Sequence, residues 1–190
     1  NTTKRSQSGR LERLAAQMSD AALPPVSTWH PANVGELDLR IARDGSWYYL
    51  DSPIQRPRLV RLLSKVLRRE GEAFFLVSPT EKLCIQVEDA PFMAVEMERL
   101  GKGEDQRLVF RTNVNDVITA GSDHAIRVDE DAQTGQPAPY IHVRDGLEAL
   151  ISRSVYYELA AIAEPAPPPR QRMLGVISEG CFFELGSAGE

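Results

Sequence analysis

The sequence predicts an α+β protein made of two related strand-strand-helix-hairpin halves packed together. Three observations carry this expectation. Apolar residues alternate on either side of Asp44-Gly45, an amphipathic helix follows Pro57, and the same order of elements recurs after His124. The division that follows is a tail with a short helix over 1–26, a first repeat over 27–103 and a second over 104–190.

The elements can be justified in turn. Leu11, Leu14, Ala15 and Met18 recur at helical spacing before Pro24-Pro25. Leu37, Leu39 and Ile41 alternate with Asp38 and Arg40, Asp44-Gly45 supplies a turn, and Trp47, Tyr48 and Tyr49 return as a strand. Pro57 suits the first turn of a helix whose apolar stripe is Leu59, Leu62, Leu63, Val66 and Leu67, closed by Gly71. Phe74 to Val77 and Leu83 to Val87 form a hairpin about Ser78-Pro79-Thr80-Glu81-Lys82. Met93 to Arg99 and Arg107 to Thr112 form another. In the second half, His124 to Val128 and Tyr140 to Val143 read as paired strands. A helix is then expected from Asp145, with Glu148 completing a capping-box-like pair and Leu147, Leu150, Ile151, Val155 and Leu159 as its stripe. Met173 to Ile177 and Cys181 to Leu185 make a last hairpin on Glu179-Gly180.

Setting Arg56 opposite Arg144 aligns the two expected helices without a gap: Leu59 meets Leu147, Leu62 meets Leu150, Ser64 meets Ser152 and Lys65 meets Arg153. Two amphipathic helices share leucines at such spacing in any case. The common order of elements is what favours duplication.

Composition narrows the function classes. The 190 residues carry 22 Lys+Arg against 27 Asp+Glu, a net charge of -5, so no overall basic field is available to hold nucleic acid. No apolar run reaches the roughly 18 residues a membrane span needs. Cys84 and Cys181 lie outside any metal or redox spacing, which suggests free thiols and a cytoplasmic setting.

Several segments resemble a known family: Ser52-Pro53-Ile54-Gln55-Arg56, Ser78-Pro79-Thr80-Glu81-Lys82, Val87-Glu88-Asp89-Ala90-Pro91-Phe92, Thr112-Asn113 and Pro139-Tyr140-Ile141-His142-Val143-Arg144-Asp145-Gly146-Leu147. Together, over about Trp29 to Ala161, they resemble the bacterial domain-of-unknown-function family 1285. Leu63 and Ser78 are mild departures from its pattern, where Phe and Thr are expected. The resemblance implies a duplicated α+β core, a C-terminal half similar to a pleckstrin-homology fold, and a nucleotide-like ligand held between the halves in a signalling role.

Helix N-termini with an adjacent Arg offer oriented N–H groups and a bidentate fork to a phosphate. Arg56 and Arg144, each expected at a strand-to-helix junction, are therefore the first candidates for an anion site in a shared cleft. Alternatively each closes an ion pair with Glu88 or Asp89 as an inter-domain clamp. Lys82 and Arg153 could add cations or be solvated. Trp47, Tyr48 and Tyr140 could stack on a base, or fill a core. Thr112, Asn113, Asn115 and Asp116 could bond a ribose, or make a turn.

Catalytic motifs are lacking: no Gly-x-Ser-x-Gly elbow and no His-Glu-x-x-His occur. His30, His124 and His142 are dispersed, and Asp129-Glu130-Asp131 lacks a calcium-loop pattern, so no metal is expected. The expectation is a non-catalytic regulatory protein that binds a nucleotide-like anion. A protein-interaction module without a small ligand, and a hydrolase or transferase using Glu81, Glu88, Asp89 and Asp116, are the alternatives.

Overall fold

The computed structural model describes residue 11, residues 23–132 and residues 134–187. The helix expected from Leu11 to Met18 lies outside the described residues except for Leu11. The chain divides into two compact units between Asp89 and Ala90. The sequence had placed that boundary at 103/104, but Phe92 to Leu100 pairs with later strands and opens the second unit.

The first unit runs β1 (Asn33–Ile41), β2 (Trp47–Tyr49), β3 (Ser52–Pro53), α1 (Pro57–Ser64), β4 (Leu67–Glu70), β5 (Ala73–Val77) and β6 (Glu81–Val87). Its six strands form one sheet in the order β3-β2-β1-β6-β5-β4, with β1 and β6 parallel at the centre. The alternation of β1 places Leu37, Leu39 and Ile41 in the core beside Trp47, Leu76 and Leu83. The first hairpin closes as expected: Ile41 faces Trp47, and the Asp44 carboxylate accepts from the Ser46 N–H at 2.9 Å.

The helix after Pro57 is shorter than its apolar stripe suggested. It ends at Ser64, and Leu67–Glu70 is a strand paired with β5. Cross-strand chemistry explains the difference. Arg68 faces Phe75 and Arg69 faces Phe74, the Arg69 guanidinium lying 5.6 Å from the Phe74 ring centre. Arg68 also donates to the carbonyls of Val26 and Trp29, bonds that a continued helix would forfeit.

The second unit runs β7 (Phe92–Leu100), β8 (Arg107–Thr112), β9 (Val117–Thr119), β10 (Ile126–Glu130), β11 (Pro137–Arg144), β12 (Leu147–Ile151), α2 (Arg153–Ala161), β13 (Glu164–Pro165), β14 (Met173–Ser178) and β15 (Cys181–Ser187). Six strands form a sheet in the order β10-β11-β12-β7-β8-β9, with β7 and β12 parallel. Counted from the other edge, this is the strand order of the first sheet: third, second, first, sixth, fifth, fourth. Each sheet therefore joins two antiparallel meanders through a parallel pair of its first and last strands. β13, β14 and β15 make a separate three-stranded sheet.

The two halves thus share a sheet plan, but not the strand-strand-helix unit expected of them. α1 lies between the third and fourth strands of its sheet, whereas α2 follows the sixth. The helix expected from Asp145 does not form. Asp145 and Gly146 both take positive φ, 46° and 75°, and turn the chain into β12. Leu147, Ala149 and Ile151 are buried there in a period of two, a pattern hidden by the overlapping helical spacing of Leu147, Leu150 and Ile151. Arg56 precedes a helix, while Arg144 ends the fifth strand of its sheet, so the two are not equivalent positions.

The C-terminal hairpin belongs to the second unit through buried polar bonds. The Ser178 hydroxyl, wholly buried, donates to the Ala120 carbonyl at 2.6 Å and accepts from the Leu108 N–H at 2.9 Å. Gln106, also buried, donates from its amide to the Ile177 carbonyl at 2.6 Å. Among the described residues no helix is long and apolar enough to cross a membrane.

Candidate functional site

Several predicted site residues meet in the second unit, around the turn between β8 and β9. Thr112, buried, accepts from the Asp116 N–H through its hydroxyl at 3.0 Å, while its own N–H donates to the Asp116 carbonyl at 2.9 Å. Asn115 completes the turn in the left-handed region, φ 67°, which Asn tolerates better than most residues. The Asn113 N–H donates to the Met93 carbonyl at 2.8 Å, and its side-chain oxygen accepts from the Met93 N–H at 3.0 Å, fixing the turn to the start of β7. This polar run is a built turn, with Thr112 and Asn113 already bonded to backbone.

The turn aims Asp116 at Arg144. Arg144 Nη1 lies 2.6 Å from Asp116 Oδ2, and the guanidinium sits 5.0 Å from the Phe92 ring centre. With side chains only 16% and 31% exposed, the pair is partly shielded from water, which strengthens it. Asp116 is a partner of Arg144 that the sequence reading did not offer.

Within the first unit, Glu88 and Asp89 engage the β1–β2 hairpin. Glu88 accepts from Arg40 and, at 3.0 Å, from the Arg43 N–H, and Asp89 pairs with Arg43 at 3.1 Å. The Arg43 backbone bond, followed by Arg40, holds the Glu88 carboxyl below its ordinary range. Arg40 also covers the Tyr48 ring at 4.4 Å.

Lys82 Nζ lies 2.8 Å from Glu70 Oε2 and 4.7 Å from the Phe75 ring centre, and Glu70 also receives Arg68. Lys82, with help from Arg68, lowers the Glu70 carboxyl as well. Arg153 opens α2 and donates to the Gln136 side chain at 2.6 Å. Trp47 is 2% exposed and its indole N–H is buried without a hydrogen bond, so its faces are core surface and no base can stack on it. Tyr140 is buried with Ala90, Ala138 and Leu150, and Arg127 lies 4.2 Å from its ring centre. Arg127 in turn grips Glu148 through two bonds of 2.7 Å and pairs with Asp129.

Of the predicted residues in the second unit, then, the structure brings together Arg144, Thr112 and Asn113 and leaves Arg153 and Tyr140 in separate settings; within the first, Trp47 and Lys82 occupy settings of their own. Sequence reading missed Arg40, Arg43, Arg68 and Arg127, which organise those settings. For Arg40, Arg68 and Arg127 the signal was present, an Arg in a strand with an aromatic residue facing it on the next, whereas Arg43 lies in the β1–β2 turn.

Two features bear on anions. α1 begins with Arg56 at its N-cap and Pro57 in its first turn, has no acidic residue in that turn, and exposes Arg56, Arg58 and Arg61. By contrast, a cavity of about 350 Å³ beside β10 and β15 is lined by Asp129, Glu130 and Glu184, a charge suited to repelling anions. Among the described residues no three His, Cys, Asp or Glu converge to hold a metal.

Comparison with known proteins now bears on this geometry. Residues 24–90 match a profile described as "Domain of unknown function (DUF1285), N-terminal domain", and residues 91–185 one described as "Protein of unknown function (DUF1285), C-terminal domain". The crystal structure of a DUF1285 family protein from Silicibacter pomeroyi DSS-3 is similar at 45% identity and a TM-score of 0.87, covering 93% of this chain and 94% of that one. A DUF1285 family protein from Shewanella baltica OS155 shares the fold at a TM-score of 0.52 and 23% identity, over 66% of this chain and 91% of that one. No curated protein matches. Matched in both of its units, the chain belongs to the DUF1285 family.

Proposed function

We infer that the protein is a non-catalytic, cytoplasmic regulatory protein that binds an anionic, nucleotide-like ligand at the start of α1. The observation that carries this reading is the start of α1, where Arg56 at the N-cap and Arg58 in the first turn are exposed and no acidic residue stands in that turn. The backbone N–H groups of a helix's first turn and the guanidinium forks of Arg56 and Arg58 are the donor types that a phosphate takes. Support for a non-catalytic role comes from the carboxylates. Glu88, Asp89 and Asp116 are each engaged by an arginine in an ion pair, the use such carboxylates have in holding a fold together. The second unit, in which α2 follows the six-stranded sheet, is compatible with the pleckstrin-homology-like reading.

Thermal unfolding of the full chain across a panel of nucleotides and inorganic phosphate tests the proposal. A ligand at 100 times its dissociation constant adds about 2.7 kcal/mol. The shift should vanish in Arg56→Ala and Arg58→Ala; no shift with any compound would defeat the reading. One feature favours a protein-interaction module instead. β7 runs past β12, which pairs only with Phe92 to Ala94, and Val95 and Leu100 beyond it are each 38% exposed.

A further inference from the structure

We propose that the outer edge of β10, where it borders a cavity shared with β15, is a docking edge for an extended, basic peptide segment of a partner protein. Two backbone bonds fix which way that edge faces. The His142 N–H donates to the Ala125 carbonyl at 3.0 Å, and the Asp131 N–H donates to the Gln136 carbonyl at 2.8 Å. Both pairs continue the register that sets Val128 opposite Pro139 and Glu130 opposite Pro137. Hydrogen-bonded and non-bonded pairs alternate along an antiparallel ladder, so Val128 and Glu130 fall in non-bonded pairs and turn their N–H and C=O groups away from β11. Their partners agree with this, since a proline has no N–H to give.

β10 is the last strand on its side of the six-stranded sheet, and β15 is the last of the three-stranded one. Among the described residues no strand pairs with either outer edge. The cavity between them, about 350 Å³, touches consecutive residues on both strands, Val128 to Glu130 and Glu184 to Gly186. Neighbouring side chains point to opposite faces of a strand, so a cavity meeting all of them runs along the edges. The outward backbone groups of Val128 and Glu130 lie roughly 6.8 Å apart along β10, the two-residue repeat of one extended chain. On the opposite wall β15 bulges: Leu174 faces Gly186 and Gly175 faces Glu184, which leaves Leu185 without a partner on β14.

The lining selects the occupant. Asp129, Glu130 and Glu184 are its charged groups, and Val128, Leu185 and Met173 add apolar wall. That combination suits a side chain with an aliphatic stem and a cationic head, Lys or Arg, and repels an acidic segment. Arg127 and Arg170 pair with Asp129 and Glu184 from outside the lining. These pairs are solvent-exposed and of the kind that contributes little, so an incoming cation can share them.

Fluorescence anisotropy of the full chain tests this with three labelled short peptides: one alternating Val and Lys, one alternating Val and Glu, and the Val-Lys peptide with its backbone nitrogens methylated. The Val-Lys peptide should bind, the Val-Glu peptide should not, and methylation should weaken binding by about tenfold or more. Glu130→Lys, at an exposed position, should weaken it by about tenfold as well. Hydrogen exchange of the unmodified protein gives an answer independent of any variant: the Val128 and Glu130 amides should slow when the Val-Lys peptide is bound. No binding of the Val-Lys peptide, equal binding of the Val-Glu peptide, or unchanged exchange at both amides would each overturn the proposal. Equal binding of the methylated peptide would overturn it by reducing the site to one for a bare cation. A free chain that is dimeric by light scattering and monomeric in Glu130→Lys would overturn it in favour of a second copy.

Discussion

If Arg144 is a structural clamp on the turn from Thr112 to Asp116, removing it should destabilise the second unit by a calculable amount. Arg144→Ala deletes a charge-assisted hydrogen bond of 2.6 Å, a class worth roughly 1.5 to 3 kcal/mol. It also deletes the guanidinium 5.0 Å from the centre of Phe92, worth roughly 0.5 to 1 kcal/mol at partly exposed sites. Exposures of 16% and 31% lie between the surface limit, where pairs contribute roughly 0 to 1 kcal/mol, and the buried limit, where losing one partner costs roughly 3 to 5. An overall loss of about 2 to 3 kcal/mol follows for Arg144→Ala, and about 1 to 2 for Asp116→Ala. A double-mutant cycle read by urea unfolding should return a coupling of about 1 to 2 kcal/mol. Additive effects, or a change under about 0.5 kcal/mol for Arg144→Ala, would refute the clamp and return the guanidinium to the ligand hypothesis.

Three further perturbations address other parts of the molecule. Ser178→Ala orphans the Leu108 N–H and the Ala120 carbonyl in the core and should cost about 2 to 4 kcal/mol, against less than about 0.5 for the exposed Ser187→Ala, both by urea midpoint. Trp47→Phe should cost far less than Trp47→Ala, about 1 against about 3 to 5 kcal/mol, because the smaller ring discards a buried N–H that has no hydrogen bond. Glu70 and Glu88 sit below their ordinary value of 4.5, so they stabilise the folded first unit above that pH and lose the effect as pH falls through their lowered values. Glu70→Gln and Glu88→Gln should each flatten the acid limb of stability against pH; an unchanged limb in both would contradict the assignment.

The paired strands were legible because their signals are local. Leu37, Leu39 and Ile41 before Asp44-Gly45 need nothing beyond the pleat and a turn that tolerates positive φ. The helix expected at Asp145 failed because Leu147, Leu150 and Ile151 fit a helical stripe as well as a strand, and the deciding fact, a turn with positive φ at Asp145, concerns a residue without glycine's freedom. The apolar stripe from Leu59 to Leu67 read as one helix closed by Gly71. Arg68 and Arg69 instead face aromatics across a strand pair, a contact between residues distant in sequence. Of the residues read as ligand contacts, Arg144, Thr112 and Asn113 meet around one turn. That Asp116 joins Arg144 to Thr112 was not legible, since which arginine a carboxylate meets depends on the whole sheet.

The parallel pair at the middle of each sheet carries a consequence for biosynthesis. β1 cannot find its neighbour until β6 has been made, and β7 must wait in the same way for β12. Closure of either sheet is thus delayed to the end of its own synthesis and has to overcome a large loop entropy, the kind of long-range pairing that slows folding. Losing the first or last strand of either sheet removes an interior strand, leaving a two-stranded and a three-stranded fragment with raw edges liable to associate with other chains. Shortened versions should therefore aggregate, whereas a permuted chain that fuses β1 to β6 through a new linker and opens between β3 and α1 should assemble faster than the parent.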